Sequence, residues 1–248
     1  MTTAKTPQLL TDYQLPYPPQ RHPDEVTSYD QLHEDGSSHH LIRHLGNPET
    51  TLVGADRYIV LDVPVGRDAI RRYPDLFIAF NADRDAYLRR NGYVISEQGK
   101  PPDFVLEVAS PSTGRLDVNE KRDDYAALGI LEYWRFDQTG RWHGARLAGD
   151  HLENGIYRPI PIDESADDIA QGYSPTLNVY LRWEQGKLVW HDPATGQPIL
   201  TYDDQLARAL RAEAQLNAER TARDAERAAR LAAEARVREL EERIQQQG

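Results

Sequence analysis

The chain contains no cysteine in its 248 residues, which excludes disulfide frameworks, cysteine nucleophiles and thiolate-bound zinc or iron–sulfur centres. Chemistry must come from oxygen and nitrogen groups. Long apolar runs are also missing. The best stretch near the N-terminus is Leu9–Leu10, far short of the roughly 7–15-residue apolar core of a secretory signal. No window approaches the ~18 apolar residues of a membrane span. These absences lead to the expectation of a soluble, cytoplasmic protein with no membrane partner. The third absence is an excess of positive charge. Lys and Arg number 29 against 40 Asp and Glu, for a net −11. Residues 203–248 hold nine Arg and ten acids, so the first 202 residues carry −10. Gross attraction to nucleic acid is therefore lacking, and any binding to it should be weak and sensitive to salt and metal. Nor is there a Gly-x-Ser-x-Gly elbow, a Walker loop, a Gly-x-Gly-x-x-Gly fingerprint or a His-Glu-x-x-His helix, which argues against serine-nucleophile hydrolase, P-loop, dinucleotide and zincin readings.

What is present falls into three regimes. Residues 1–30 carry Pro7, Pro16, Pro18, Pro19 and Pro23 and read as a flexible proline-rich arm; residues 31–202 have the make-up of one packed domain. Residues 203–248 contain twelve Ala, no Pro, and no Gly before the last position, so they read as one long charged helix. Its Glu-to-Arg pairs at i,i+4 are Glu219/Arg223, Glu226/Arg230, Glu234/Arg238 and Glu239/Arg243. A stripe through Ala222, Ala225, Ala229, Ala233, Val237, Leu240 and Ile244 has few large apolar members, so a solvated single helix and a coiled coil both remain open.

Within the domain, Ser37 and Ser38 stand where they can cap a short helix from His39 to Leu45. Apolar and β-branched runs predict strands over Arg57–Val65, Leu76–Phe80, Phe104–Ala109 and Glu132–Phe136. Between the last two, the pattern of Val118–Leu128 predicts a helix that ends at Gly129 in a left-handed cap. Residues 140–202 read as a β-rich extension, in which Thr176–Trp183 turns through Glu184-Gln185-Gly186-Lys187 and returns along Leu188–Trp190.

Pro74-Asp75 and Pro102-Asp103 each open a strand, and Glu107 follows four residues after Asp103. Alternation would turn Asp103, Val105 and Glu107 one way and Phe104, Leu106 and Val108 into the core. A carboxylate in an apolar strand is costly unless something neutralises it. If the strands of Asp75 and Glu107 are neighbours, the two charges repel by about 4 kcal/mol at an effective dielectric near 20. A Mg²⁺ or Mn²⁺ ion would turn that cost into a site able to polarise a phosphodiester. The alternative is a pair of structural acids held by loop amides or by Arg71, Arg72 or Arg122. His40 and His44, at i,i+4, have a spacing that binds metal only when a third ligand exists.

The segment Pro101-Pro102-Asp103-Phe104-Val105-Leu106-Glu107-Val108-Ala109-Ser110-Pro111-Ser112-Thr113, with Asp117, Glu120-Lys121, Tyr125, Gly129 and Glu132-Tyr133-Trp134 after it, resembles the signature of the Uma-type restriction endonuclease domain family of the PD-(D/E)XK nuclease superfamily. The likeness extends more loosely over about residues 25–200. It implies an α/β fold: a restriction-endonuclease-like core with a mixed β-sheet flanked by helices, here with a β-rich extension and a long C-terminal α-helix. It also implies a Mg²⁺- or Mn²⁺-dependent endonuclease acting on DNA. Asp75 matches the Asp of the Pro-Asp motif and Glu107 the acid of (D/E)XK, both as metal ligands and catalytic residues. Glu34 matches a further acid that the first helix of such proteins supplies to the metal. The lysine two residues beyond Glu107 is missing, since Ala109 stands there; the resemblance transfers that role to Lys121 on the following helix. The expected packing residues are Tyr125 and Trp134. Two function classes follow: a nuclease in which water attacks phosphorus with help from Lys121, or a catalytically inactive module of nuclease fold that assembles, as a homodimer or with a partner, through its C-terminal helix.

Overall fold

The computed structural model describes residues 13–19, 40–166 and 169–245; Glu34, Ser37, Ser38 and His39 lie outside them. Chain contacts divide the protein into two units, Met1–Ile199 and Leu200–Gly248.

The first unit is built on a six-stranded sheet. In chain order, α1 (His40–Leu45) is followed by β1 (Leu52–Gly54), β2 (Tyr58–Val60), β3 (Arg71–Arg72) and β4 (Leu76–Ala79). Next come α2 (Arg84–Arg90), β5 (Gly92–Val94), α3 (Ile95–Gln98) and β6 (Phe104–Val108), then α4 (Gly114–Val118), α5 (Glu120–Ala127) and β7 (Glu132–Phe136). The C-terminal part adds β8 (Leu147–Glu153), β9 (Ile156–Ile160), β10 (Ile162–Ala166), β11 (Ile169–Ser174), β12 (Val179–Glu184) and β13 (Lys187–His191). The large sheet has the order β1-β4-β6-β7-β8-β9, and its one parallel pair is β6 with β7. A parallel pair needs a crossover, and α4 and α5 provide it.

Both faces of this sheet are covered. On one, Leu76, Ile78, Phe104, Leu106, Val108, Trp134 and Phe136 meet Ala170, Val179, Leu181, Leu188 and Trp190 of the antiparallel sheet β10-β11-β12-β13. On the other, Phe77, Val105 and Tyr133 pack with Tyr125 and Leu128 of the crossover. A sheet buried on both sides reads as continuous apolar runs, which is why β6 and β7 are easy to find in the sequence. Val105 is therefore core as well, contrary to the expectation that its face is the polar one. Gly172 is required where β11 crosses Trp134, because a Cβ there would lie 2.7 Å from the indole and 2.6 Å from Ile162.

Several expectations are corrected. The apolar run 57–65 gives only the three-residue β2; the Asp62 carboxylate accepts the Val63 amide and the Ser96 hydroxyl, and the chain turns there. The helix expected over 118–128 is α5, with Gly129 beyond it in the left-handed region at φ 80°, and the short α4 precedes it across a break at Asn119, whose φ and ψ of −112° and −84° are not helical. Residues 81–100 hold α2, β5 and α3, with Asp83 capping α2 and Asn91 closing it in the left-handed region. The β12–β13 turn is the expected one, with Gln185 and Gly186 at φ 50° and 81°. In the proline-rich stretch, Leu15 is buried with Val60 and Val94 and its amide donates to Arg90 O.

The second unit is α6 (Tyr202–Gln245), 44 residues long. Leu206, Leu210, Leu216, Leu231 and Val237 are all exposed on it. Arg230, expected to pair with Glu226, lies 3.4 Å from Glu234.

Candidate active site

The register of β4 on β6 pairs Leu76 with Leu106 and Phe77 with Val105. Continued by one residue, it sets Asp75 opposite Glu107. The parallel pairing of β6 and β7 places Arg135 beside Glu107 on the other side. Three charged residues on neighbouring strands thus form a row across one face, spaced by the ~4.8 Å strand separation. Arg135 is taken by Asp150 at 2.8 Å, and Arg122 joins the same carboxylate at 3.0 Å. Arg72 pairs with Asp124. Elsewhere in the domain, Arg90 is buried against Glu97 and Arg84 donates to Pro48 O.

Helix α5 lies over the row and delivers two side chains to Glu107. The Lys121 ammonium is 2.9 Å from Glu107 Oε2 and 2.8 Å from Asp117 Oδ1, with only 12% of its side chain exposed. The Tyr125 hydroxyl donates to Glu107 Oε1 at 2.6 Å. Asp75 Oδ2 accepts the Val108 amide at 2.5 Å. Lys121 thus reaches the carboxylate from the helix, across the face on which a strand lysine at 109 would have stood.

Electrostatics set the two acids in contact with Lys121 apart. Burial pushes the Glu107 carboxyl up to about 8; the Lys121 charge opposes this, while the charges of Asp75 and Asp117 reinforce it. Burial also acts on Asp117, but hydrogen bonding from His143 and the Lys121 charge outweigh it and hold that carboxyl below its usual range. Both acids keep Lys121 protonated well above the ordinary lysine value, against the effect of burial. Burial and the nearby Glu107 charge likewise raise the Tyr125 phenol, so it acts as a neutral donor.

Asp75, Glu107 and Lys121 are brought together, and Glu34 lies outside the described residues. Asp103 is turned to structural use, accepting from the Phe80 amide and Lys100. Tyr125 is more than the packing residue expected, because its hydroxyl is spent on Glu107. Asp117 and His143 went unrecognised as site residues. Asp117 had a signal, one helical turn before Lys121; His143 had none, because its approach depends on a hairpin loop 26 residues from Asp117.

Among the described residues, no group of three or more His, Asp or Glu is placed to hold an ion. The donors gathered there are oxygens of the kind a hard divalent cation takes, and the charges of Asp75 and Asp117 both act on Glu107 beside Lys121. Mg²⁺ commonly takes only one or two protein carboxylates and completes its shell with water and substrate phosphate.

A mixed sheet with a helical crossover over a carboxylate–lysine cluster defines a restriction-endonuclease-like α/β fold. The sequence model of Uma2, described as a putative restriction endonuclease, matches residues 24–179, more than half of the chain, and the protein belongs to that family. The family falls in the restriction endonuclease-like superfamily, whose members generally use divalent metals and act on DNA. No curated protein matches the chain. Among the described residues, no helix is long and apolar enough to cross a membrane.

Proposed function

We propose that the protein is a Mg²⁺- or Mn²⁺-dependent DNA endonuclease that hydrolyses phosphodiester bonds at Asp75, Glu107 and Lys121. The observation that carries this is the Lys121 ammonium, 2.9 Å from Glu107, over the strand pair that sets Asp75 opposite that glutamate. With Glu107 ionised, one buried lysine does not balance the carboxylates of Asp75, Glu107 and Asp117, and a cation would offset the remaining negative charge. Asp75 and Glu107 would hold it. Bound there, a divalent ion supplies charge to polarise the phosphodiester and lowers the pKa of water. Lys121 keeps its proton, so it works as a fixed positive donor that orients the attacking water or a non-bridging phosphate oxygen, not as a general base. Tyr125 fixes the rotamer of Glu107 through its hydroxyl.

The test is conversion of supercoiled plasmid to nicked or linear form with Mn²⁺ or Mg²⁺. Cleavage that depends on metal and is lost in Asp75→Ala, Glu107→Ala and Lys121→Ala is expected. Cleavage that survives the two acid substitutions overturns the assignment.

A second reading concerns α6, where the exposure of Leu206, Leu210, Leu216, Leu231 and Val237 favours assembly through the helix. Light scattering on the full chain and on residues 1–199 checks it: a dimer that becomes a monomer on truncation is expected, and two monomers reject it.

A further inference from the structure

The Asp117 carboxylate divides its two oxygens between different partners. Oδ1 faces Lys121 at 2.8 Å, whereas Oδ2 accepts the Thr113 hydroxyl at 3.1 Å and meets His143 Nε2 at 2.9 Å. A carboxylate only accepts hydrogen bonds, so His143 Nε2 carries the hydrogen. The imidazole is almost wholly enclosed, with 1% of the side chain exposed, and its buried Nδ1 has no hydrogen-bond partner among the described residues. A buried ring nitrogen left unpaired costs stability, so this histidine is not explained by packing.

Its loop is built to aim it. Asp137, the residue after β7, gathers the amides of Thr139 and Gly140 on one oxygen and those of Trp142 and His143 on the other, at 2.6–2.9 Å. The loop rests against the start of α4 at Gly114, where a Cβ would lie 2.6 Å from Trp142 Cβ and 2.8 Å from Trp142 O. One continuous chain of contacts thus runs from Asp137 through His143 and Asp117 to Lys121 and Glu107.

We propose that His143 is a positioning residue that locks the Asp117 carboxylate and thereby fixes the Lys121 ammonium against Glu107. Without the imidazole, Oδ2 keeps only the Thr113 hydroxyl, the carboxylate can turn, and Lys121 loses the second anchor that holds its long side chain in one rotamer. This deepens the nuclease reading, since the lysine it positions is the one that reading uses.

Two measurements separate the inference from that reading. The chain has only four lysines, Lys5, Lys100, Lys121 and Lys187, so a ¹H–¹⁵N correlation of the lysine ammonium groups is assigned by one Lys121→Arg variant. The wild type is expected to give a distinct Lys121 signal of a paired, slowly exchanging ammonium. His143→Ala should shift or abolish it. His143→Gln, whose amide nitrogen can replace Nε2 as donor, should restore it. Gly114→Ala touches neither His143 nor Asp117 but pushes the loop away, and should act like His143→Ala even if the latter folds poorly. Plasmid cleavage should follow the same order, with kcat lower by about 10- to 100-fold in His143→Ala, as for other supporting-shell residues, and KM little changed. An unchanged Lys121 signal and an unchanged kcat in both His143→Ala and Gly114→Ala would overturn the proposal. If the wild type cuts no DNA yet its Lys121 signal responds as described, the nuclease reading fails and the positioning role stands.

Discussion

Two buried glutamates stand on opposite faces of the parallel β6–β7 pair, and the protein treats them differently. Glu132 faces the four-stranded sheet and is satisfied by neutral donors: Thr176 N at 2.8 Å, Trp134 Nε1 at 2.8 Å and Ser174 Oγ at 2.6 Å. It staples one sheet to the other. Glu107 faces α5, with Lys121 and Tyr125 on its two oxygens and the charges of Asp75 and Asp117 close by. Hydrogen bonds from neutral dipoles compensate a buried charge and fix it in place. Additional acids raise its cost and prepare it for a cation or a proton. Burial alone therefore does not distinguish the two glutamates, whereas burial among other acids does.

The sharpest way to break this contrast is to exchange the readouts. Glu107→Ala should lower plasmid cleavage by about 10³-fold or more, and Lys121→Ala by about 10²–10⁴-fold, both with the fold retained by circular dichroism. Glu132→Ala should leave the activity per folded molecule near wild type while destabilising the domain. It strands buried donors at about 1–3 kcal/mol each, so its Tm should fall by roughly 5–15 °C. A Glu132→Ala protein of unaltered Tm would remove the structural half of the comparison.

A smaller effect lies in pH. The folded Glu107 carboxyl titrates near 8 against an ordinary 4.5, so between those values the native state holds a proton that the unfolded state has released. Its contribution to stability is thus full below about 4.5, declines as pH rises, and is lost through about 8. Glu107→Gln cannot ionise. Its thermal stability should match wild type near pH 5 and exceed it near pH 9, by on the order of 1–3 kcal/mol. A gap that does not widen with pH contradicts the raised carboxyl. Asp117 runs the other way: its stabilisation is present above about pH 4 and is lost as pH falls through its lowered folded value.

The smallest expected change is in Tyr125→Phe, which deletes one hydroxyl from Glu107. About 1 kcal/mol of stability and up to about tenfold in cleavage rate should be lost, with Glu107 titrating higher still by ¹³C NMR of its carboxyl carbon. An unchanged titration would show that the hydroxyl does not support the charged form.

Strands β4, β6 and β7 were legible because a sheet covered on both faces needs uninterrupted apolar runs, and the tail because residues 203–247 hold neither proline nor glycine, which leaves little but helix. Asp75 and Glu107 were visible as acids that packing does not explain. The covering of the Glu107 face was not. Alternation along β6 puts Val105 on the polar side, and only the arrival of α5 and Tyr133 makes that side a second core. The 57–65 run misled for a related reason: apolar content marks a strand only where a partner strand and a continuing backbone meet it, and Asp62 turns the chain instead.

Composition and local pattern alone determined the exclusion of thiol chemistry, the weak overall attraction to polyanions, the central strands and the long helix, since each depends on residue type or on neighbours a few positions away. Tertiary structure alone decided which acid became structural and which electrostatically strained, that a helix lysine would meet Glu107, and that His143 would close on Asp117. Those outcomes depend on residues brought within 3 Å from separate segments of the chain, and a Coulomb interaction or a hydrogen bond is set by that distance, not by separation in sequence.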